Sequence, residues 1–497
     1  MTFEMTNNVP ARLYKVAASL LLAALVSAAV AAPWMGVGLY MTSGVWAALA
    51  VDLAEGMLYR PILSDDGYGG TRYFPLHFVL HAGLIKTLGN PIAAAYVISY
   101  SAGIALLAGV YRCLTQFNVS RGTAVLCALL SFSALTVHAC LYQIRPDILA
   151  TAFNVWGISC CISPKTTSKR WIVVATVFFT LAFLTKFTTV FGLTTVVAYW
   201  ALKGRRGDAA VLALSTAVIS VLALIGVNIA SEGRAVESFL ACATGGTTLK
   251  SILMGQYRFL YTARFDIPYF ITLAAAFSVL YLRGRNKILD LPIIFFVLTL
   301  GATLIIASDT GAGINHFIDL QIAGTMLCAV QIAERPTNRF VRYALPASGL
   351  TGAIFVGAAV VFLNVYFTET RYEHHDHIMK LAGTGEKPLL ADDPWIPILA
   401  NEHPFILDNY SMRVMSENNP EIADDLFKKL DDQFFRAAVL FYGNQAPRGR
   451  DRNLNIETDA RNLYYSWMLY PEGFYDRLTQ SYAPIEFVGE YLVLLPR

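Results

Sequence analysis

The stretch Phe74–Leu88, FPLHFVLHAGLIKTL, decides how the chain is threaded. It is apolar, but it is short of the about 20 residues that a helix needs to cross a bilayer, and it carries His77, His81 and Lys86. Read as a crossing, it would put Arg112 and Arg121 outside and invert the charge pattern of every later loop. Read as an interfacial or re-entrant segment, it leaves that pattern intact.

Outward from it, apolar stretches lie near 13–34, 92–111, 122–140, 148–162, 171–186, 187–202, 209–230, 266–282, 291–308, 316–333 and 344–366. They predict an α-helical polytopic membrane protein of about eleven transmembrane helices. Between alternate stretches sit basic groups: Arg112 with Arg121, Lys165 with Lys169 and Arg170, Lys203 with Arg205 and Arg206, Arg283 with Arg285 and Lys287, and Arg335 with Arg339 and Arg342. Placing these in the cytoplasm turns all other loops outward, leaves Arg12 and Lys15 inside, and carries the polar segment after Thr368 outside. The small residues Ala28–Ala32 also suit a signal-peptidase site, but the parity of crossings needs the first span retained.

Composition agrees. Hydrophobic residues are 56% of the 497 positions and charged residues 15%, more apolar material than one soluble core of this length needs. Of the seven cysteines, Cys113, Cys127, Cys140, Cys160, Cys161 and Cys328 fall in or beside spans and read as packing residues. Cys242 falls in an outer loop with no disulfide partner in view.

The expected domains are 1–366, transmembrane and including the first outer loop 35–91, and 367–497, a small soluble extracytoplasmic α/β domain. In the first loop, Gly44–Glu55 reads as an amphipathic interfacial helix, with Trp46, Leu49 and Leu53 on one face and Asp52 and Glu55 opposite. In the tail, Pro388–Ala391, Pro404–Leu407, Ala437–Phe441 and Glu490–Leu495 are candidate strands and Ile422–Leu430 a helix.

Ionisable residues near a bilayer are expensive unless they face a cavity, so their clustering points to function. They gather on the outer side. The first loop supplies Asp52, Glu55, Tyr59, Arg60, Asp65, Asp66, Arg72 and Tyr73; Arg145 and Asp147 join the third and fourth spans; Lys186 ends the fifth; Asp309, Asn315, His316 and Asp319 surround the start of the tenth. Carboxylates for proton abstraction, with cations and helix N-termini for a phosphate leaving group, are the parts that glycosyl transfer from a lipid phosphate requires. Asp147, after Pro146 at a helix start, suits either an N-terminal cap or a substrate contact.

The first loop, SGVWAALAVDLAEGMLYRP (43–61) and then GYGGTRYFPLHF (67–78), resembles the segment of GT-C glycosyltransferases in which an interfacial helix leads to a Tyr-Pro-Pro-Leu-like motif. IRPDILA (144–150) resembles their extracytoplasmic Arg-Pro-Asp element, FLTKFT (183–188) the basic turn after it, and GAGINHFIDL (311–320) the Asn-containing helix start. The resemblance spans most of residues 1–366. It implies a GT-C-like polyprenyl-phosphate-dependent enzyme, similar to the protein mannosyltransferase, aminoarabinose transferase and mycobacterial mannosyltransferase group. Such an enzyme moves a sugar from a polyprenyl-phosphate donor to a glycan, lipid or protein acceptor in a bacterial inner membrane. It needs no cofactor or metal, and no nucleic acid takes part. Where many relatives carry an acidic pair after the first span, this chain has Thr42 and Ser43. The expected base is then Asp65 or Asp66. Arg72, Tyr73, Arg145, Asp147, Lys186, Asn315, His316 and Asp319 are the expected substrate-binding residues.

Other motifs are weak. His374, His375 and His377 with Asp376 suit a solvated juxtamembrane turn better than a metal site, and Gly245–Gly246 lacks the strand and helix of a nucleotide fingerprint. A transporter also needs many spans, but the ionisable residues here keep to one face. A catalytically inactive accessory protein is the third reading, and the missing acidic pair keeps it open.

Overall fold

The computed structural model describes residues 8–39, 41–162, 169–243, 249–283, 290–309, 313–335, 338–366, 370–442 and 469–497. Lys165, Gly245, Gly246, Arg285, Lys287 and Thr368, used above, lie outside the described residues. The chain divides into two compact units, Met1–Pro33 with Tyr96–Ala223 and Gly246–Tyr366, and Trp34–Ala95 with Leu224–Gly245 and Phe367–Arg497.

A helix occupies each of the apolar stretches: Asn8–Trp34, Pro91–Gln116, Arg121–Leu130 with Leu135–Tyr142, Asp147–Ile162, Lys169–Thr185, Phe191–Leu202, Arg206–Ala230, Ile267–Arg283, Leu291–Ile306, Phe317–Glu334 and Arg339–Tyr366. Among the described residues, five helices are long and apolar enough to cross a membrane, and further apolar helices run for 10–17 residues. Val211, Leu214, Val218 and Leu222 form an exposed apolar row along Arg206–Ala230, a face suited to lipid. The chain is a multi-pass membrane protein.

In the first unit the Phe317–Glu334 helix is central and buried along most of its length, against Ile267–Arg283, Leu291–Ile306 and Arg121–Leu130. The third stretch is broken at Ser131–Ala134, where the Ser131, Phe132 and Ser133 amides close onto the Ala128, Leu129 and Leu130 carbonyls and Ser133 Oγ also donates to the Leu130 carbonyl at 3.0 Å. Gln321 adds a tie from another helix, donating from its amide nitrogen to the Leu130 carbonyl at 3.1 Å and to Ser133 Oγ at 3.4 Å. At the end of the Ile267–Arg283 helix, Arg283 donates to Gln331 Oε1 (2.8 Å), Asp290 Oδ2 (3.2 Å) and Glu334 Oε2 (3.0 Å). This cation, read from sequence as part of a cytoplasmic charge cluster, also clamps three helices together.

The second unit is built on a four-stranded sheet. With β1 Leu63–Ser64, β2 Gly67–Tyr68, β3 Leu389–Ala391, β4 Ala437–Phe441, β5 Tyr482–Val488 and β6 Tyr491–Pro496, its order is β3-β4-β6-β5, the first pair parallel and the others antiparallel. Alternation along β4 sends Ala438 and Leu440 into one apolar cluster and Ala437, Val439 and Phe441 into another, so both faces are covered and the strand reads as a continuous apolar run. Three of the expected strands form. Pro404–Leu407 does not, making only an isolated bridge between Ile406 and Tyr68, while β5 was not expected.

The β1–β2 hairpin is tied to this unit through that bridge. Tyr68 N donates to the Phe405 carbonyl at 2.8 Å and Leu407 N to the Tyr68 carbonyl at 3.0 Å. Gly67, at φ 136°, permits it: a β-carbon there would lie 2.1 Å from the Phe405 carbonyl oxygen.

Two readings need correction here. The helix Met41–Ala54 is not amphipathic: Ser43–Ala50 and Asp52 are all buried, because Asp52 has an internal partner described below. The histidine run is not a solvated turn either. It lies on a helix, Arg371–Ala382, started by a reciprocal cap between Thr370 and Glu373, with His374 and His375 buried and His375 against the Tyr491 ring. Among the described residues no group of three or more His, Cys, Asp or Glu side chains is placed to hold a metal ion.

Candidate functional site

Within the first unit, four of the residues singled out by sequence meet. Asp147 is the first residue of Asp147–Ile162, where the unpaired amides of a helix start favour an anion. Lys186 directly follows Lys169–Thr185, its own amide still bonded to the Ala182 carbonyl, where the helix end favours a cation. The packing of these two helices brings the termini together. Lys186 Nζ donates to Asp147 Oδ1 at 2.5 Å, and Asn315 Nδ2 donates to the same oxygen at 2.6 Å. His316 Nδ1 lies 3.3 Å from Lys186 Nζ. Asn315 and His316 sit on the 3-10 turn Ile314–His316 that leads into Phe317–Glu334.

Asp147 is 3% exposed and Lys186 18%, so the carboxylate is held inside while its cation reaches the surface of the cluster. Arg145 and His316 also act electrostatically on Asp147. Asp319, in the first turn of Phe317–Glu334, is buried and feels both Lys186 and Asp147. With two donors on one oxygen, Asp147 is well suited to orient Lys186. The arrangement offers three cationic or cationisable groups, Arg145, Lys186 and His316, around one ordered carboxylate, a set that matches an anion such as a phosphate.

The second unit holds the remaining candidates. Asp65 and Asp66 are the two turn residues between β1 and β2, both exposed, and neither makes a hydrogen bond or ion pair with the described residues. Tyr73 stacks on Trp46 at 4.2 Å, and the Arg72 guanidinium lies 4.8 Å from the centre of the Tyr410 ring. Ser43, in the place where the GT-C resemblance leads one to expect an acid, is fully buried, donating to the Gly38 carbonyl at 2.5 Å and accepting from Trp395 Nε1 at 3.0 Å. A carboxylate in that place would be stripped of water.

One cluster escaped sequence reasoning. Arg60 forks onto Asp52, Nε to Oδ2 at 2.5 Å and Nη2 to Oδ1 at 2.6 Å, and its Nη1 donates to the Pro404 carbonyl at 2.5 Å. His403 joins it, Nδ1 3.2 Å from Asp52 Oδ1 and Nε2 2.7 Å from Glu55 Oε2. The spacing of Asp52 and Arg60 carries no periodic signal, and His403 is 351 positions from Asp52.

No protein-family model matches the chain, and no curated protein matches it by sequence. Solved structures do. The oligosaccharyltransferase of Archaeoglobus fulgidus, in complex with zinc and sulfate, is similar over 93% of this chain and 71% of its own, with 12% identity and a TM-score of 0.58. ArnT from Cupriavidus metallidurans, bound to undecaprenyl phosphate, is similar over 96% of this chain and 97% of its own, with 13% identity and a TM-score of 0.56. Likeness at this identity is likeness of fold. The chain has the GT-C fold that these membrane proteins share, with a small C-terminal sheet domain.

Proposed function

We propose that the chain is an integral membrane glycosyltransferase that moves a hexose or pentose from a polyprenyl-phosphate donor to a cell-envelope glycan, lipid or protein acceptor. It would act at the outer leaflet of a bacterial inner membrane, with its C-terminal domain extracytoplasmic. The observation that carries this reading is the Lys186–Asp147–Asn315 contact with Arg145 and His316 beside it, in a chain of GT-C fold. The lipid phosphates bound in similar structures support it: undecaprenyl phosphate with ArnT, and a dolichol-phosphate with AglB from Archaeoglobus fulgidus.

In such a transfer an acceptor hydroxyl attacks the anomeric carbon, the bond from that carbon to the phosphate oxygen breaks, and the polyprenyl phosphate leaves with the added negative charge. Lys186, Arg145 and His316 are suited to hold that charge, with Asn315 and Asp147 setting the angle of Lys186 and Asp319 completing the polar lining. The hydroxyl proton goes to a carboxylate, for which Asp65 or Asp66 is proposed. Arg72 and Tyr73 are proposed to bind substrate.

The test is direct binding of undecaprenyl phosphate to the purified protein. Arg145→Ala and Lys186→Met should each weaken it by roughly tenfold or more, the scale of one charge-assisted contact. Unchanged affinity in both would show that the phosphate site lies elsewhere.

A further inference from the structure

The helix Leu249–Ala263, in the first unit, exposes what a helix in water would hide. Leu253, Met254, Tyr257, Leu260 and Tyr261 are each more than half exposed. At about 100° per residue they fall within one arc of about 120°. The cations Lys250 and Arg264 flank this arc, with the Arg264 guanidinium lying 3.6 Å from the centre of the Tyr261 ring.

The opposite side of the helix is fixed to protein. Gly255 is buried so closely against the end of the Leu291–Ile306 span that a β-carbon there would lie 2.1 Å from the Ala307 carbonyl oxygen. Gln256 Nε2 donates to the Leu304 carbonyl at 2.5 Å. Leu304 and Ile305 on that span are themselves exposed, so the apolar arc continues a lipid-facing surface at a span end.

We infer that Leu249–Ala263 lies in the plane of the bilayer interface, its apolar arc in contact with lipid. The occupant is lipid because the arc joins the exposed side of a membrane span, because tyrosines suit the boundary between chains and headgroups, and because cations at both ends complement anionic headgroups. The same helix touches the Ile314–His316 turn. It thereby sets the bilayer surface as the reference against which Asn315 and His316 are held. That consequence rests on the donor site proposed above, whereas the lipid contact does not.

Nitroxide labels on single cysteines introduced at Leu253, Tyr257 and Leu260, in the full chain in lipid nanodiscs, test the contact. The seven native cysteines are all buried and so compete poorly for label. The expected result is that molecular oxygen collides with each label more often than a water-soluble nickel chelate does, by a smaller margin than at a Val218 label on the exposed row of Arg206–Ala230. If the nickel chelate dominates, the arc faces water. If neither quencher reaches the labels, a protein partner or a second copy covers the arc. Either result overturns the inference.

Discussion

Lys186 and Asp147, 39 residues apart, meet at 2.5 Å across the ends of two adjacent helices, and Asn315 donates to the oxygen they share. Lys186 is therefore not a free helix-end ammonium that is cheap to remove. Lys186→Met leaves Asp147 buried with an amide in place of its counter-charge, and breaking such a pair costs about 3–5 kcal/mol when burial is complete, less here because Lys186 is partly exposed. Lys186→Met with Asp147→Asn removes both charges and should recover most of the lost stability without recovering undecaprenyl phosphate binding. Thermal unfolding and lipid titration of the single and double variants check this. Recovered binding in the double variant would mean that Lys186 acts only as a structural partner.

For the proposed base, the position of Asp65 and Asp66 on an exposed turn makes the contrast wide. Losing a solvated turn charge shifts stability by no more than about 0.5 kcal/mol, whereas losing a general base slows transfer by about 10²- to 10⁴-fold. Asp65→Asn, Asp66→Asn and the double variant should therefore fold and bind donor as the parent does, with turnover lost in at least the double variant. Parental turnover in the double variant would place the base elsewhere.

His403 makes the second unit sensitive to pH. Carboxylates only accept, so a ring bonded through both nitrogens to Asp52 and Glu55 needs both of them protonated. The hydrogen bond to Asp52, and then the charge of Glu55, raise its pKa from the ordinary 6.5, against the opposing effects of burial and of Arg60. With the folded pKa raised, this stabilisation is complete below about pH 6.5 and is lost as pH rises through the folded value. His403 is half exposed, which holds the effect to a few tenths of a kcal/mol, about that of a surface pair. As pH rises above about 6.5, the stability of the parent should fall more than that of His403→Gln. Identical pH profiles would contradict the assignment.

The direction of threading is open to labelling. A cysteine at Asp66 should react with an impermeant maleimide added outside intact cells, and one at Arg206 should react only after permeabilisation. Both positions are exposed, and the native thiols are buried. Reaction at Arg206 from outside would reverse the proposed orientation.

The spans were legible because apolar length and basic loops are strong, local signals. Details that depend on distant residues were not. The break at Ser131–Ala134 lies within an apolar run, and one of the groups that bonds it, the Gln321 amide, lies about 190 positions later. Asp52 was read on the solvated face of a helix because Arg60 and Pro404 cannot be seen around it from sequence. Strand β5 escaped because Pro484 and Glu486 interrupt its alternation, at the point where the register with β6 shifts. Leu249–Ala263 is not legible in the sequence because its run of apolar residues is broken by charged and polar ones. In the candidate site, Arg145, Asp147, Lys186, Asn315, His316 and Asp319 drew notice as polar residues at span ends on one side of the membrane. The sharing of Asp147 Oδ1 between Lys186 and Asn315 is a matter of geometry alone.

The central claim is most directly tested by following donor and acceptor together. The purified protein in proteoliposomes, given a panel of undecaprenyl-phosphate-linked sugars and an envelope extract as acceptor, should release undecaprenyl phosphate and label an acceptor with one of the sugars, and the Lys186→Met, Asp147→Asn double variant should do neither. Uptake of free solute into the vesicles, with no undecaprenyl phosphate released from any donor, would contradict the account and identify a transporter instead.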